Sequence, residues 1–215
     1  MNLAPSRNSW RAARFIVIDV ETTGLDPRRD EVISFAGVPV EGGRIVARGA
    51  VHGLVRPESP PAASSVEIHG LRTADLAAAP SAATAFAPLA HSLPGRVPVA
   101  HAAWVEREFL RPHLRALGCP LPRQIVDTAL LWRLLSIQRG ERDPGTHGLS
   151  AVAEALGLPA HRPHEAEGDA LTTAQAFLAL ATHLEAHGPG TVRALTGAHW
   201  FLRAWRLWHG PGHRM

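Results

Sequence analysis

The sequence predicts an α/β domain in which a mixed β-sheet is flanked by α-helices. Three observations point there. Strand-like apolar runs crowd the first part of the chain, between Phe15 and Val55. Helical stripes dominate from Ser81 onward. One short strand-like run, Arg96–His101, lies between the helices.

Taken in order, Phe15–Val20 (FIVIDV) is an apolar run of the kind found in strands covered on both faces. Two further runs follow, EVISFAGVPV (31–40) and RIVARGAVHGLV (44–55). Gly42–Gly43 between them suits a tight hairpin turn. The stretch RPESPPAASSVEIHGL (56–71) reads as a Pro/Ser loop. SAATAFAPLAHSL is Ala-rich and helical, with Ser81 placed to cap it. RVPVAH is a short strand, and Pro98 within it predicts a position at the sheet edge. In VEREFLRPHLRALG the apolar residues Val105, Phe109, Leu110, Leu114 and Leu117 make a helical stripe that stops at Gly118. VDTALLWRLLS and LSAVAEALG read as further helices. In EAEGDALTTAQAFLALATHLEAHG, Ala170, Leu171, Ala174, Phe177, Leu178 and Leu184 keep helical spacing. No internal repeat or long low-complexity linker is present.

Composition bounds the class. The chain has 215 residues, 46% of them hydrophobic, enough to bury a sizeable core. No segment approaches the roughly 20 unbroken apolar residues of a membrane-spanning helix. No apolar run of signal-peptide length precedes Phe15, so a cytoplasmic protein without membrane association is the expectation. A single cysteine, Cys119, excludes an internal disulfide and a Cys-rich zinc site. The net charge is a mild +3, and all 22 basic residues are arginine. Absence of lysine beside abundant Ala, Pro and Gly reads first as coding bias. Arginine also grips phosphate in a bidentate way that lysine cannot.

The chemistry is concentrated in three places. The first strand ends in Asp19 and Glu21, and residues two apart on a strand project to one side. Two carboxylates at one spot repel unless one takes a proton or a cation neutralises both, and Mg²⁺ or Mn²⁺ suits such oxygen ligands. Thr22, Thr23 and Gly24 follow, with Gly24 allowing backbone to approach a ligand. Two solvated acids at a strand end would show the same pattern. The second place is VPVAHAAWVEREFL, where a short strand runs into His101 and then Glu106 at a helix start; a solvated first-turn acid reads identically. The third is HEAEGDA, with His164 five residues before Asp169. Histidine is the side chain suited to accept a proton near neutral pH. It could equally be one more surface histidine among 13.

Together these pieces resemble the DEDDh family of 3′→5′ exonucleases, which includes the proofreading epsilon subunit of bacterial DNA polymerase III. The family's Asp-x-Glu-Thr-Thr-Gly motif is matched by Asp19, Glu21, Thr22, Thr23 and Gly24. Its second motif is similar at Val99, Ala100, His101, Ala103, Phe109 and Leu110. His164, Ala166 and Asp169 match its His-x-Ala-x-x-Asp motif. EIHGL, VDTALL and LSAVAEALGL add weaker likeness, so the resemblance runs from Arg14 to His183 in order. Three departures stand in the second motif: Ala102 replaces Asn, Val105 replaces Phe, and Glu106 replaces the usual Asp. Glu108 fits the register less well, and Asp127 reads as a structural acid near the site.

The resemblance implies a ribonuclease H-like fold and a two-metal hydrolysis of phosphodiesters. It implies that Asp19, Glu21, Glu106 and Asp169 hold two Mg²⁺ or Mn²⁺ ions and that His164 is the general base. Thr22, Thr23, Gly24, Leu25 and His101 would bind the terminal nucleotide of a single-stranded 3′ end, with DNA the expected polymer. A DNA polymerase subunit is an implied partner, although no stretch resembles a clamp-binding peptide. A catalytically weakened module that binds nucleic acid or a polymerase is the alternative. Residues 1–190 would form the exonuclease domain. Past the resemblance, helical spacing puts Phe201, Trp205 and Trp208 on one face of a C-terminal aromatic and basic helix over 191–215, expected to pack on the domain, with a docking helix for a partner or a surface for nucleic acid as the alternatives.

Overall fold

The computed structural model describes residues 8–141, 147–188, 190–198, 200 and 202. Strand β1 (Arg14–Thr22) pairs antiparallel with β2 (Val32–Glu41), which turns through Gly42 and Gly43 into β3 (Arg44–Ile45). Both glycines have positive φ, 58° and 70°, as a two-residue hairpin turn requires. The third apolar run is not one strand. A short 3₁₀ turn at Ala47–Gly49 breaks it, and β4 (Val51–Leu54) then pairs with the other end of β2.

The Pro/Ser stretch read as loop contains a helix, α1 (Ala63–His69), closed by Gly70 in the left-handed region. Short helices α2 (Thr73–Leu76), α3 (Ala82–Ala85) and α4 (Ala87–Ser92) follow. Ser81 stands at the N-cap of α3, but its side chain makes no capping bond to the helix backbone. Then come β5 (Val97–Ala100), α5 (Trp104–Ala116), β6 (Val126–Asp127), α6 (Thr128–Gln138), α7 (Leu149–Ala155), α8 (Ala166–Glu185) and α9 (Val192–Thr196).

The sheet order among the described residues is β3-β2-β1-β5-β6, with β5 and β6 parallel to β1. Strand β5 is therefore interior, not at the edge that Pro98 suggests. Proline is tolerated because β6 pairs only from Val99 onward, so at Pro98 the strand has a neighbour on the β1 side alone.

Two apolar layers sandwich the sheet. Phe15 and Val17 of β1 pack with α6, α7 and α8, while Ile16, Ile18 and Val20 pack with α4 and α5. Alanines 166, 170 and 174 line the buried side of α8, and such small residues let the helix backbone approach the sheet closely. Val192, Leu195 and Ala198 join this same core beside Trp10. Leu202 is buried and Trp200 exposed. Phe201, Trp205 and Trp208, with the arginines between them, lie outside the described residues.

Candidate metal centre

Parallel strands β1, β5 and β6 end on one side of the sheet, and each delivers an acid there or just beyond. Asp19 and Glu21 continue the face of β1 that Phe15 and Val17 present to α8. The register against β2 shifts between Glu21 and Thr22, a bulge of the kind that re-aims a side chain at a strand end. Asp169 stands in the first turn of α8. One carboxylate oxygen from each of Asp19, Glu21 and Asp169 lies within 4.8 Å of the others. Residues 150 positions apart in the chain thus share one small volume.

Glu106 is outside that 4.8 Å group but belongs to the same electrostatic cluster. It is only 3% exposed, and its Oε2 finds no hydrogen-bond partner. Burial, and then the charges of Glu106, Asp169 and Glu21, hold the Asp19 carboxyl well above the usual range. Burial followed by Asp169 pushes Glu21 up to about 8. Burial pushes Glu106 up to about 8 as well, with Asp127 and Glu21 adding to it. Asp169 is raised by burial, against the backbone N–H and imidazole of His164, which favour its ionised form. Acids that resist ionisation where nothing compensates them are the donor set that a divalent cation fits, and an orphaned buried oxygen points the same way. Glu108 faces outward and pairs with Arg111 at 3.3 Å.

His164 lies on the exposed turn before α8 with φ at +64°, and its backbone N–H donates to Asp169 Oδ2 at 2.9 Å. Gly168 makes this turn possible. A Cβ on Gly168 would fall within 2.5 Å of the carbonyl oxygens of His161 and Arg162. The turn therefore rests directly on helix backbone, pinned by the His161 N–H donating to Thr172 Oγ1 at 2.9 Å. Sequence reasoning passed over Gly168; the available signal was a glycine in the first turn of a helix, where it costs stability unless space demands it.

The residues expected at the terminal nucleotide divide into two kinds. The hydroxyls of Thr22 and Thr23 are spent inside the loop, on Gly24 O at 2.6 Å and Asp30 Oδ1 at 3.2 Å. Gly24 has no room for a side chain because the Asp30 carboxylate crosses over it at about 2.5 Å from a Cβ position. These residues shape the loop, and Leu25 at its tip is 71% exposed. Both ring nitrogens of His101 are engaged, Nδ1 with Thr128 Oγ1 at 2.9 Å and Nε2 with the carbonyl of His147 at 3.0 Å. Burial lowers its pKa, so Nε2–H donates to that carbonyl from a neutral ring.

A family model described as Exonuclease matches residues 16–177, which takes in Asp19, Glu21, Glu106, His164 and Asp169. The chain belongs to this exonuclease family. The exonuclease match extends to curated relatives. A DNA polymerase III subunit epsilon-like protein of Rhodobacter capsulatus is 36% identical over 184 residues, 84% of this chain and 25% of the relative. A PolC-type DNA polymerase III of Thermotoga petrophila is 34% identical over 172 residues, 80% of this chain and 12% of the relative. The 3′-5′ exonuclease DinG of Bacillus subtilis is 30% identical over 169 residues, 77% of this chain and 17% of the relative. The chain thus spans a quarter or less of these relatives' length. Among solved structures, exonuclease X bound to 5′ overhanging duplex DNA aligns with a TM-score of 0.66 and 24% identity, covering 85% of this chain and 99% of that one. Exonuclease I aligns with a TM-score of 0.68 and 17% identity, covering 79% and 41%. The exonuclease-family fold here is accordingly ribonuclease H-like, a mixed sheet flanked by helices. Among the described residues no helix is long and apolar enough to cross a membrane.

Proposed function

We propose that this chain is a metal-dependent 3′→5′ exonuclease that removes nucleoside monophosphates from single-stranded nucleic acid 3′ ends. The observation that carries the reading is the convergence of Asp19, Glu21, Asp169 and buried Glu106 beside an exposed His164. In this scheme Asp19, Glu21, Asp169 and Glu106 would hold two Mg²⁺ or Mn²⁺ ions. When bound, such ions lower the pKa of water and stabilise the attacking and leaving oxygens of an in-line displacement. His164, free in solvent and anchored through its backbone to Asp169, takes the proton from the attacking water. The water oxygen forms the new bond to phosphorus, the bond to the 3′ oxygen of the preceding nucleotide breaks, and that oxygen takes a proton from solvent to leave as a hydroxyl.

Leu25 presents an apolar surface to the terminal base, a sequence-tolerant contact that suits removal of any nucleotide. Thr22, Thr23 and Gly24 hold the loop that carries it. His101, occupied at both nitrogens, stiffens the turn between β5 and α5. The names of the relatives support DNA as the polymer and a polymerase or repair assembly as the setting. The second reading, a weakened binding module, draws on Glu106, which stands outside the 4.8 Å carboxylate group.

Labelled single-stranded DNA and RNA oligonucleotides, assayed with Mn²⁺, Mg²⁺ or EDTA, test the scheme. Stepwise mononucleotide release that EDTA abolishes is expected, with DNA preferred. Asp19→Ala and His164→Ala should each remove it while circular dichroism stays unchanged. Retained activity in both variants would overturn the assignment.

A further inference from the structure

The outer face of α5 is built for something that the acidic centre alone does not use. Trp104, Glu108, Arg111 and Arg115 fall at i, i+4, i+7 and i+11, one stripe along the helix. Trp104 begins the stripe in the first turn of the helix, two residues before Glu106 in the chain, and is 49% exposed. Across from the second half of the stripe stands Arg28, three residues past Leu25 on the loop that follows β1. Between them runs an open groove of about 820 Å³, lined by Arg28, Glu108, Arg111 and Arg115 among others. The helical rise places Arg111 and Arg115 about 8 and 14 Å beyond Glu106 along the axis. Arg111 pairs with Glu108, whereas Arg28 and Arg115 make no ion pair among the described residues.

We propose that this groove carries the single strand on the 5′ side of the scissile bond, with Trp104 stacking on a base near the centre and Arg28, Arg111 and Arg115 contacting successive backbone phosphates. The inference rests on the nuclease reading for its polarity, but the groove itself is argued from charge and spacing. Exposed guanidinium groups in a row match a chain of phosphates, and an aromatic face at the end nearest the reaction matches bases whatever their identity. Glu108 is the one acid in this groove lining. It holds Arg111 in place when the groove is empty and opposes a phosphate there, so it weakens binding.

The test is fluorescence anisotropy of labelled oligothymidine on the full chain in Ca²⁺, across a salt series. Combining Arg28→Ala, Arg111→Ala and Arg115→Ala should weaken binding about tenfold or more. It should also flatten the slope of log affinity against log salt by about 2, at roughly 0.7 per single-strand phosphate contact. Trp104→Ala should weaken binding about fivefold or more with the slope unchanged, because stacking releases no counterions. Glu108→Gln should tighten binding. Unchanged affinity and slope in the triple variant, or no binding by the native chain, would overturn the proposal. Hydrolysis of thymidine 5′-p-nitrophenyl phosphate by the native chain in Mn²⁺ reads the catalytic centre separately. Its absence together with the expected binding losses would sink the nuclease reading and leave the groove standing.

Discussion

Helices α5 and α6 both start just past the end of a parallel strand, and each places an acid there in opposite surroundings. Asp127 at the head of α6 accepts four backbone N–H bonds, from Ala102, Ala103, Ala129 and Leu130, at 2.9 to 3.4 Å. It caps α6 and clasps the turn that leads into α5. Glu106 at the head of α5 is more deeply covered yet has an oxygen with no donor at all. The lesson is that burial alone does not distinguish a satisfied acid from an unsatisfied one. Fixed donors satisfy Asp127 at folding, whereas Glu106 keeps one oxygen without a donor.

The sharpest way to break this contrast is to neutralise each acid in turn. Glu106→Gln should cut metal-supported hydrolysis about 100-fold or more, roughly 3 kcal/mol in the barrier, while the metal-free protein stays as stable or gains stability. Asp127→Ala should lower stability by about 2–3 kcal/mol through the lost cap and stranded donors, seen as an earlier urea midpoint. Equal effects of the two substitutions on stability would erase the distinction.

A smaller effect lies in the pH dependence of the metal-free protein. Glu21 and Glu106 are pushed up to about 8 in the folded state, so the folded protein holds protons that the unfolded chain has released. Their stabilising contribution is full below the ordinary glutamate value and is lost as pH rises toward and past 8. His69, His101 and His113, lowered by burial, act in the opposite sense and only as pH falls through the ordinary histidine range. Thermal melts in EDTA between about pH 7 and 9 therefore isolate the acids. The melting temperature should fall across that range, and Mn²⁺ should restore it. A flat profile would count against the four-acid cluster.

The smallest expected effect concerns Ala102, whose N–H is one of the donors to Asp127. Its φ of +58° is a left-handed conformation that a Cβ disfavours. Ala102→Gly should relieve the strain and, net of the entropy of glycine, raise stability by about 0.5–1 kcal/mol. The family pattern places Asn there, a residue that tolerates this region. Loss of stability on substitution would mean that the methyl group contributes packing that outweighs the strain.

The extent of legibility follows from what is local. Strands β1 and β2, the Gly42–Gly43 turn that follows β2, α5 and α8 were readable because each carries its own period or punctuation. Helix α1 was not, since SSVEIH offers little more than one turn of signal behind a Pro-Pro. The interior position of β5 was hidden because strand order depends on pairings between distant segments. At the site, the pairing of Asp19 with Glu21 follows from strand geometry. The approach of Asp169 was legible only through resemblance, because no local rule links residues so far apart. The burial of Glu106 contradicts the ordinary behaviour of a first-turn acid, and periodicity alone would have left it in solvent.

Gly168 has a broader consequence. Where the histidine-bearing turn meets α8, the gap between them is filled by main chain alone. The reach of His164 toward the acids is thus set by the thickness of a peptide backbone, a dimension that no drift in neighbouring side chains can alter. Glu165 and Glu167 on either side pair at the surface, with Arg162 and His52, while this one missing methyl keeps His164 at its height.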